Sequence, residues 1–512
     1  MDNTLDIAAL SRAIEADTPG CEAILVETHI SWVLLCGDFA YKIKKPLKLD
    51  VLDFSTPELR RRACEEELRL NRRFAAGTYV DVMPIFGTPA SPSFKAGSVP
   101  IDHAVFMRRF PDGALFSEML AADTLTVAHV DQLARKVAAV HGQAPRADAD
   151  RSFGSAELVE DTTATVVRNL NQQLGEAAMA PLVGWLVRQA QVLRSTWTHR
   201  LQNGMVRECH GDLHLGNAAI IDGEASAFDC IEFDPGLRWI DIISDTAFMV
   251  MDLLAHGRRD LAYSFLNAWL ETTGDHAGLS VLRYYMVYRA LVRAWVQGMR
   301  RPAAGTRASM PNYLDTARTL AEIGDARLMI THGLSGSGKS FMSGALLGLC
   351  GAIRLRSDVE RKRVFGLQPL ERSTSLGEDL VYSEQATRRT FDTLRDRARM
   401  ALDAGYPTIV DAAFLKRSER DAMRRLAAEV AVPFAVAHCH ARETTLHRRI
   451  AARLAGPGDA SEADERVLQM QLAFAQPLSA DEAPGVIDID TSITLDLRAI
   501  DQRWKASPVP TL

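Results

Sequence analysis

Apolar and polar positions alternate early in the chain. Within residues 22–45 three short runs, EAILVE, ISWVLL and FAYKIKK, predict strands, and CGD (36–38) turns the chain between the last two. The period then lengthens. STPELRRRACEEELRLNRRFAAG predicts a helix with Ser55 or Thr56 as its cap, Pro57 in its first turn and Gly77 beyond its end. VDVMPIFG and IDHAVFMRRF return to strand, so roughly the first 110 residues predict a small sheet with one helix. From about 115 to 204 the pattern is helical. It breaks near residue 210, where AAIIDGEASAFDCIEF reads as a hairpin turned at Asp222-Gly223. Helical spacing resumes at WIDIISDTAFMVMDLLAHG and runs to about 300. RRPAAGTRASMP (300–311) reads as a linker or a helix–helix loop, and NYLDTARTLAEIG as a bridging helix. Beyond it, strands and helices alternate. ARLMITHG, AIRLRS, YPTIVDAAF, PFAVAHCHA and GVIDIDT predict a parallel α/β sheet with helices on both faces.

At 512 residues the chain exceeds one ordinary domain, and its 47% hydrophobic content supports large cores. A net charge of -6 argues against a nucleic-acid coat or a membrane-surface protein. The N-terminus lacks the basic start and apolar stretch of a signal peptide, and no run approaches the ~18–20 apolar residues of a membrane span. Seven scattered cysteines without a CxxC pair predict reduced thiols and a cytoplasmic location. HCHA (438–441) offers one short metal-like cluster without a distant partner pair, so it reads as the end of a buried strand.

Two stretches carry phosphoryl-transfer chemistry. In HGDLHLGN (210–217), Asp212 and Asn217 stand five apart: a carboxylate to take the proton of an attacking hydroxyl, and an amide oxygen for magnesium. The hairpin beyond returns Asp229 toward the same point, which makes it the candidate for the main magnesium carboxylate. Upstream, Lys42 and Lys44 share one strand face, either able to reach the phosphates, with Lys42 preferred after Ala40. Ala63, Glu67, Leu70 and Phe74 share a helix face, so Glu67 is the inward carboxylate and Glu66 the alternative. The turn that would cover a nucleotide, THIS (28–31), carries no glycine.

With HGDLHLGN, AFDCIEFDP and WIDIISDTAF, residues ~20–300 resemble the aminoglycoside phosphotransferase family, a branch of the bilobal protein-kinase-like fold. The resemblance implies Asp212 as catalytic base, Asn217 and Asp229 as magnesium ligands, and Asp241 as a support of the catalytic loop. It leaves the acceptor open, since relatives phosphorylate antibiotics, choline, sugars and other hydroxyl compounds.

GLSGSGKS (333–340) matches G-x-x-x-x-G-K-[ST] after an apolar strand and at the start of a helix. Gly333, Gly336 and Gly338, with Ser335 and Ser337 between them, let main-chain N–H groups wrap phosphates. Lys339 reaches the β/γ-phosphates and Ser340 binds magnesium. Asp358 ends the next strand beside the phosphates and can accept a hydroxyl proton, with Arg361 one turn later. Asp411 ends a third strand as a further magnesium carboxylate. Arg449 and Arg453, four apart before GPGDASEAD, can close on the γ-phosphate. This half resembles the small P-loop kinases: gluconate kinase, polynucleotide kinase, chloramphenicol phosphotransferase and the zeta toxins. Asp358 is then the implied base.

The order of the halves resembles fused bacterial proteins that pair a phosphotransferase-like domain with a P-loop kinase. The expected division is 1–315 (small lobe about 20–110, helical lobe about 111–315) and 325–512. The leading expectation is two ATP- and magnesium-dependent kinase centres acting on small-molecule hydroxyls, with no membrane partner. The alternatives are that one centre senses ATP for the other, or that the C-terminal half phosphorylates nucleic-acid ends or nucleotide-sugars.

Overall fold

The computed structural model describes residues 5–49, 52–95, 97, 99–148, 153–299, 311–322, 324–373, 383–455 and 460–511. Most of the proposed linker at 300–311, and part of GPGDASEAD, lie outside the described residues. The chain divides into two compact units, 1–252 and 253–512.

The first unit opens with helix Ile7–Asp17 and continues with β1 (Ile24–Glu27), β2 (Ser31–Cys36) and β3 (Phe39–Lys44). A two-residue pair, β4 (Lys48–Leu49) and β5 (Leu52–Asp53), leads into helix Pro57–Ala75. Then come β6 (Tyr79–Thr88), β7 (Ser91–Ser93) and β8 (Asp102–Arg108). The main sheet has the order β1-β2-β3-β8-β6-β7, and its pairings are antiparallel. Helix Ile7–Asp17 buries Leu10 and Ile14 against Leu34, Ile43, Ile85 and Ala104 of this sheet. Thr56 caps helix Pro57–Ala75 by accepting from the Leu59 N–H at 3.2 Å, and Ala63, Glu67, Leu70 and Phe74 are buried as their spacing predicts.

The helical stretch follows as Phe116–Ala121, Val127–Gln143, Ala156–Leu174 and Glu176–Gln202. β9 (Val206–Glu208) precedes the HGDLHLGN loop, which leads into the hairpin of β10 (Ala218–Ile221) and β11 (Glu224–Ala227). The tight turn between them holds Asp222 at φ 51° and Gly223 at φ 80°, the doubly left-handed geometry for which Asp-Gly is suited. WID, expected to begin a helix, instead forms β12 (Trp239–Asp241) against β9, and helix Ile242–Ala255 starts directly after it.

The expectation of reduced thiols is corrected at one pair: Cys21 and Cys36 are disulfide-bonded, with Cα atoms 5.7 Å apart. Antiparallel pairing sets Ile24 opposite Leu35, so the chain entering β1 necessarily meets the chain leaving β2. Cys64, Cys209, Cys230, Cys350 and Cys439 are buried and form no disulfide.

The second unit begins with helices Arg259–Thr273, Leu279–Met299 and Tyr313–Ala321, whose helical rhythm in the sequence joins them to the first half. They belong with the second by packing. Helix Arg259–Thr273 lies against helix Lys339–Cys350, and Asn267 hydrogen-bonds the main chain on both sides of Ile353. The strands are β13 (Leu328–His332), β14 (Ile353–Arg356), β15 (Thr408–Asp411), β16 (Phe434–His440) and β17 (Val486–Asp490). They form a parallel sheet in the order β14-β15-β13-β16-β17, with the helices in the connections. Met329, Ile409, Ala437 and Ile487 of the sheet meet Met342, Leu346 and Trp504 of the helices in one core. Among the described residues no helix is long and apolar enough to cross a membrane.

Candidate functional site

In the first unit, β3 and helix Pro57–Ala75 bring charge together inside the protein. Lys42 Nζ donates to Glu67 Oε1 at 2.8 Å and also pairs with Asp229. Lys44 Nζ lies 2.5 Å from Glu67 Oε2 and pairs with Glu232. Both lysines therefore share Glu67, but Lys42 is the one that reaches Asp229. Lys44 is fully enclosed between two carboxylates. Glu66, the alternative inward residue, is engaged by Arg69 and Arg238 instead.

Burial disfavours the Lys42 charge, yet Asp229, Glu67 and Glu232 outweigh it and hold its pKa well above the ordinary lysine value. Burial likewise opposes the Glu67 carboxylate, and the two lysines overcome it and depress its pKa. Glu232 goes the other way: burial, with the neighbouring Glu67 charge, raises it despite Lys44.

Asp229 sits at φ 64°, a left-handed conformation costly for a residue with a Cβ. Two side chains hold the main chain there. Asp229 N–H donates to Tyr79 Oη at 3.1 Å, and Cys230 N–H donates to Asn71 Oδ1 at 2.9 Å. Asn71 lies one turn beyond Glu67 and donates to its carbonyl at 2.8 Å, so a single helix fixes both the carboxylate and the turn carrying Asp229.

The HGDLHLGN loop lies between β9 and β10. Asn217 Nδ2 donates to Asp212 Oδ2 and to the Asp212 carbonyl, each at 3.0 Å, so the predicted pair is in direct contact. His210 Nδ1 accepts from Asp212 N–H at 3.3 Å, which leaves Nε2 as the donor to the Phe228 carbonyl at 2.8 Å. Burial holds the His210 pKa down, in keeping with this neutral tautomer. One ring thus ties the loop bearing Asp212 to the residue preceding Asp229.

The support expected of Asp241 comes from Asp245. Asp245 accepts His210 N–H at 3.1 Å and Gly211 N–H at 2.9 Å, and pairs with His141 at 3.0 Å. Burial would raise its pKa, but these partners hold it at about 2. Asp241 is taken by Arg200 at 2.6 Å. Asp252 adds a further support by accepting Leu215 N–H at 3.0 Å. Sequence reading missed Glu232, Asn71, Asp245 and Asp252. The signals were three-residue spacing in DCIE and helical spacing from Glu67 to Asn71 and from Asp241 to Asp245.

In the second unit, the centre is built largely from main chain. The loop from Gly333 to Gly338 follows β13 and feeds helix Lys339–Cys350, with Gly333, Gly336 and Gly338 all at positive φ. A Cβ on Gly333 would stand 2.2 Å from the Cys439 carbonyl oxygen, so only glycine fits. Ser335 N–H donates to Gln471 Oε1 at 2.7 Å, and the Ser337 carbonyl accepts from Thr491 Oγ1 at 2.8 Å. Lys339 Nζ donates to the Gly333 and Leu334 carbonyls at 2.9 and 2.7 Å, and burial lowers its pKa against the pull of Asp411.

Lys339, Ser340, Asp358, Arg361, Asp411, Arg449 and Arg453 line one cleft of about 1230 Å³. Asp358 lies in helix Ser357–Val364, directly after β14, and Arg361 in the same helix donates to Thr387 Oγ1 at 3.1 Å. Asp411 ends β15 and accepts from Ser343 Oγ at 2.9 Å. Arg449 donates to the Gly336 carbonyl at 3.2 Å and to Thr491 Oγ1 at 2.8 Å, bracing the phosphate loop, while Arg453 bonds the Ala463 carbonyl. His438 of the HCHA stretch lies within β16 and pairs with His332 through Nδ1 atoms 2.8 Å apart, a contact between neighbouring strands.

The side chains expected to hold magnesium, Asn217 with Asp229 and Ser340 with Asp411, each offer a hard oxygen, the chemistry magnesium prefers.

The family model described as AAA domain matches residues 328–478. The gluconokinase structure from Sinorhizobium meliloti 1021 is 21% identical, covers 36% of this chain and 91% of its own, and has a TM-score of 0.25. The choline kinase structure from Cryptosporidium parvum Iowa II is 9% identical, covers 60% of this chain and 89% of its own, and has a TM-score of 0.38. Uncharacterized protein Rv2004c of Mycobacterium tuberculosis is 30% identical over 450 residues, which is 85% of this chain and 87% of that protein. The chain belongs to the family of that mycobacterial protein, and its residues 328–478 carry the AAA domain.

Proposed function

We propose that the chain is a cytoplasmic ATP-dependent phosphotransferase with two centres, each moving a γ-phosphate to a hydroxyl of a small molecule. The observation that carries the reading is the single cleft shared by Lys339, Ser340, Asp358 and Asp411, which gathers a phosphate loop, a lysine and two carboxylates. In the first unit, the contact of Asp212 with Asn217 and the Lys42–Glu67–Asp229 cluster support the same chemistry.

In each transfer the acceptor oxygen bonds to the γ-phosphorus, and the bond from that phosphorus to the β–γ bridging oxygen breaks, releasing ADP. The hydroxyl proton passes to the carboxylate of Asp212 in one centre and of Asp358 in the other. Lys42, ordered by Glu67, and Lys339 meet the phosphate charge. Magnesium, when bound, neutralises charge on the phosphates, with Asn217 and Asp229, or Ser340 and Asp411, as the residues that would hold it.

The test is transfer of labelled γ-phosphate into a bacterial metabolite extract, with RNA ends and nucleotide-sugars as added acceptors. Wild type is compared with Asp212→Ala and Lys339→Ala. Two products lost separately are expected. If Asp212→Ala changes no product while the first unit still binds nucleotide, that centre is a sensor. If neither variant changes any product, the double-kinase reading is wrong.

A further inference from the structure

The helix Arg259–Thr273 is not part of either phosphoryl-transfer motif, yet it touches three pieces of the P-loop centre. Its first contact is with the phosphate-binding helix Lys339–Cys350. A Cβ on Gly348 would stand 3.1 Å from Asp260 Cα, and one on Gly351 would stand 2.8 Å from the Tyr263 ring. The two helices therefore approach over glycines, which fixes their separation tightly.

The second contact is with β14, the strand at one edge of the sheet. Asn267 is 3% exposed, and its side-chain amide bonds the main chain on both sides of Ile353. Nδ2 donates to the Ala352 carbonyl at 2.9 Å, and Oδ1 accepts from Arg354 N–H at 2.7 Å. A neighbouring parallel strand would offer one donor and one acceptor to those two groups, so Asn267 completes the ladder at that point.

The third contact is with helix Ser357–Val364, which carries Asp358 and Arg361. Arg363 of that helix donates to the Glu271 carbonyl at 2.5 Å and to the Thr272 carbonyl at 3.4 Å, so the C-terminal carbonyls of one helix are capped by a cation from the other. The Glu271 carboxylate also pairs with Arg354 at 3.2 Å and lies 3.9 Å from Arg356, the residue that leads into the helix bearing Asp358. From the far side, Glu360 binds Arg363 at 3.4 Å and pairs with Arg397.

We infer that helix Arg259–Thr273 is a positioning element of the P-loop kinase centre, and that Asn267 and Glu271 are positioning residues that hold Asp358 in place relative to Lys339. The inference rests on the reading of Asp358 as the proton acceptor. It goes beyond that reading by making a helix outside the P-loop fold's own strands and connections part of the catalytic frame. Neither residue lines the cleft, so both act through β14 and helix Ser357–Val364. The phosphate loop is braced separately by Arg449, Thr491 and Gln471, so nucleotide binding is largely independent of Asn267 and Glu271.

The experiment uses the full chain carrying Asp212→Ala, which removes ADP formed at the first centre, and adds Asn267→Ala, Asn267→Asp, Glu271→Gln, Lys339→Ala or Asp358→Asn to that parent. ADP formation from Mg-ATP is measured as kcat and KM, and backbone hydrogen exchange is followed across 328–364. In Asn267→Ala, kcat is expected to fall roughly tenfold, within the ~100-fold that an ångström of misplacement can cost, while KM for ATP moves less than about twofold. Exchange is expected to rise at Arg354 and through 357–364 but not at 328–333. Asn267→Asp, which keeps the acceptor for Arg354 N–H and loses the donor to Ala352, is expected to fall between the parent and Asn267→Ala. Unchanged protection of 357–364 in both Asn267→Ala and Glu271→Gln overturns the inference, whatever the activity. Equal loss of protection throughout 328–364 also overturns it, because a general loss of stability then accounts for the effect. Failure of the underlying kinase reading shows separately, as ADP formation that survives both Lys339→Ala and Asp358→Asn.

Discussion

The two units assemble charge with opposite materials. The first gathers it with side chains from distant parts of the chain: Lys42 and Lys44 from a strand, Glu67 from a helix, Asp229 and Glu232 from beyond a hairpin. The second relies on main chain folded into a loop that only glycine can follow at Gly333. A side-chain centre depends on charges that remain matched. A main-chain centre depends on backbone conformation, and a substitution that leaves every charge in place can still ruin it.

The largest expected effect separates the centres outright. Asp212→Ala and Asp358→Asn should each remove about 10²–10⁴-fold of one phosphoryl transfer and leave the other, as read by product-resolved label transfer. Cross-loss would mean that the two regions do not work as separate centres.

Lys44→Met sharpens the contrast in stability. It leaves Glu67 and Glu232 with fewer cationic partners in a site where both are buried, so the first unit should lose about 3–5 kcal/mol in denaturant unfolding. No loss would show that the cluster tolerates unmatched charge. Gly333→Ala changes no charge at all. It forces a side chain into a positive-φ position and against the Cys439 carbonyl, and should cost the second unit about 1–3 kcal/mol together with its nucleotide affinity. Binding of a fluorescent ADP analogue at wild-type strength would break the comparison.

The smallest difference lies in acid. Each unit buries a neutral histidine, His210 in the first and His332 in the second, and burial lowers both pKa values, that of His332 to about 4 from 6.5. A depressed folded-state value means that His332 contributes stability that is present above about 6.5 and lost as pH falls toward 4. His332→Gln should flatten that decline in hydrogen exchange at β13 and leave the decline at β10 unchanged. A slope unaltered at β13 would put the acid sensitivity of the second unit elsewhere.

Local chemistry made much of this legible in the sequence. The Asp222-Gly223 turn, the Asp212–Asn217 spacing, the buried face of Glu67 and the phosphate loop each depend on residues close in the chain, and the structure places them as their patterns predict. What escaped depends on partners far away. Asp241 and Asp245 are equally acidic and four residues apart. Only the packing of His141 and of the His210–Gly211 main chain assigns the support to Asp245. Glu232 becomes an ion-pair residue only when Lys44 is brought beside it, and Cys21 meets Cys36 only through strand pairing. The division of the chain was obscured for the same reason. Helix Arg259–Thr273 continues the helical rhythm of the residues before it, and nothing in its spacing reveals that Asn267 is committed to a strand over eighty residues later.

That amide has a consequence for anyone who cuts the gene at the start of the glycine-loop half. A fragment beginning near residue 325 would leave the outer side of β14 without the partner that Asn267 provides, and would uncover the glycine-lined face of the phosphate-binding helix. An open strand edge beside an uncovered helix face is a template for the next copy of the same fragment. The separated half is therefore expected to self-associate, an outcome that size-exclusion chromatography of the fragment beside the full chain would read.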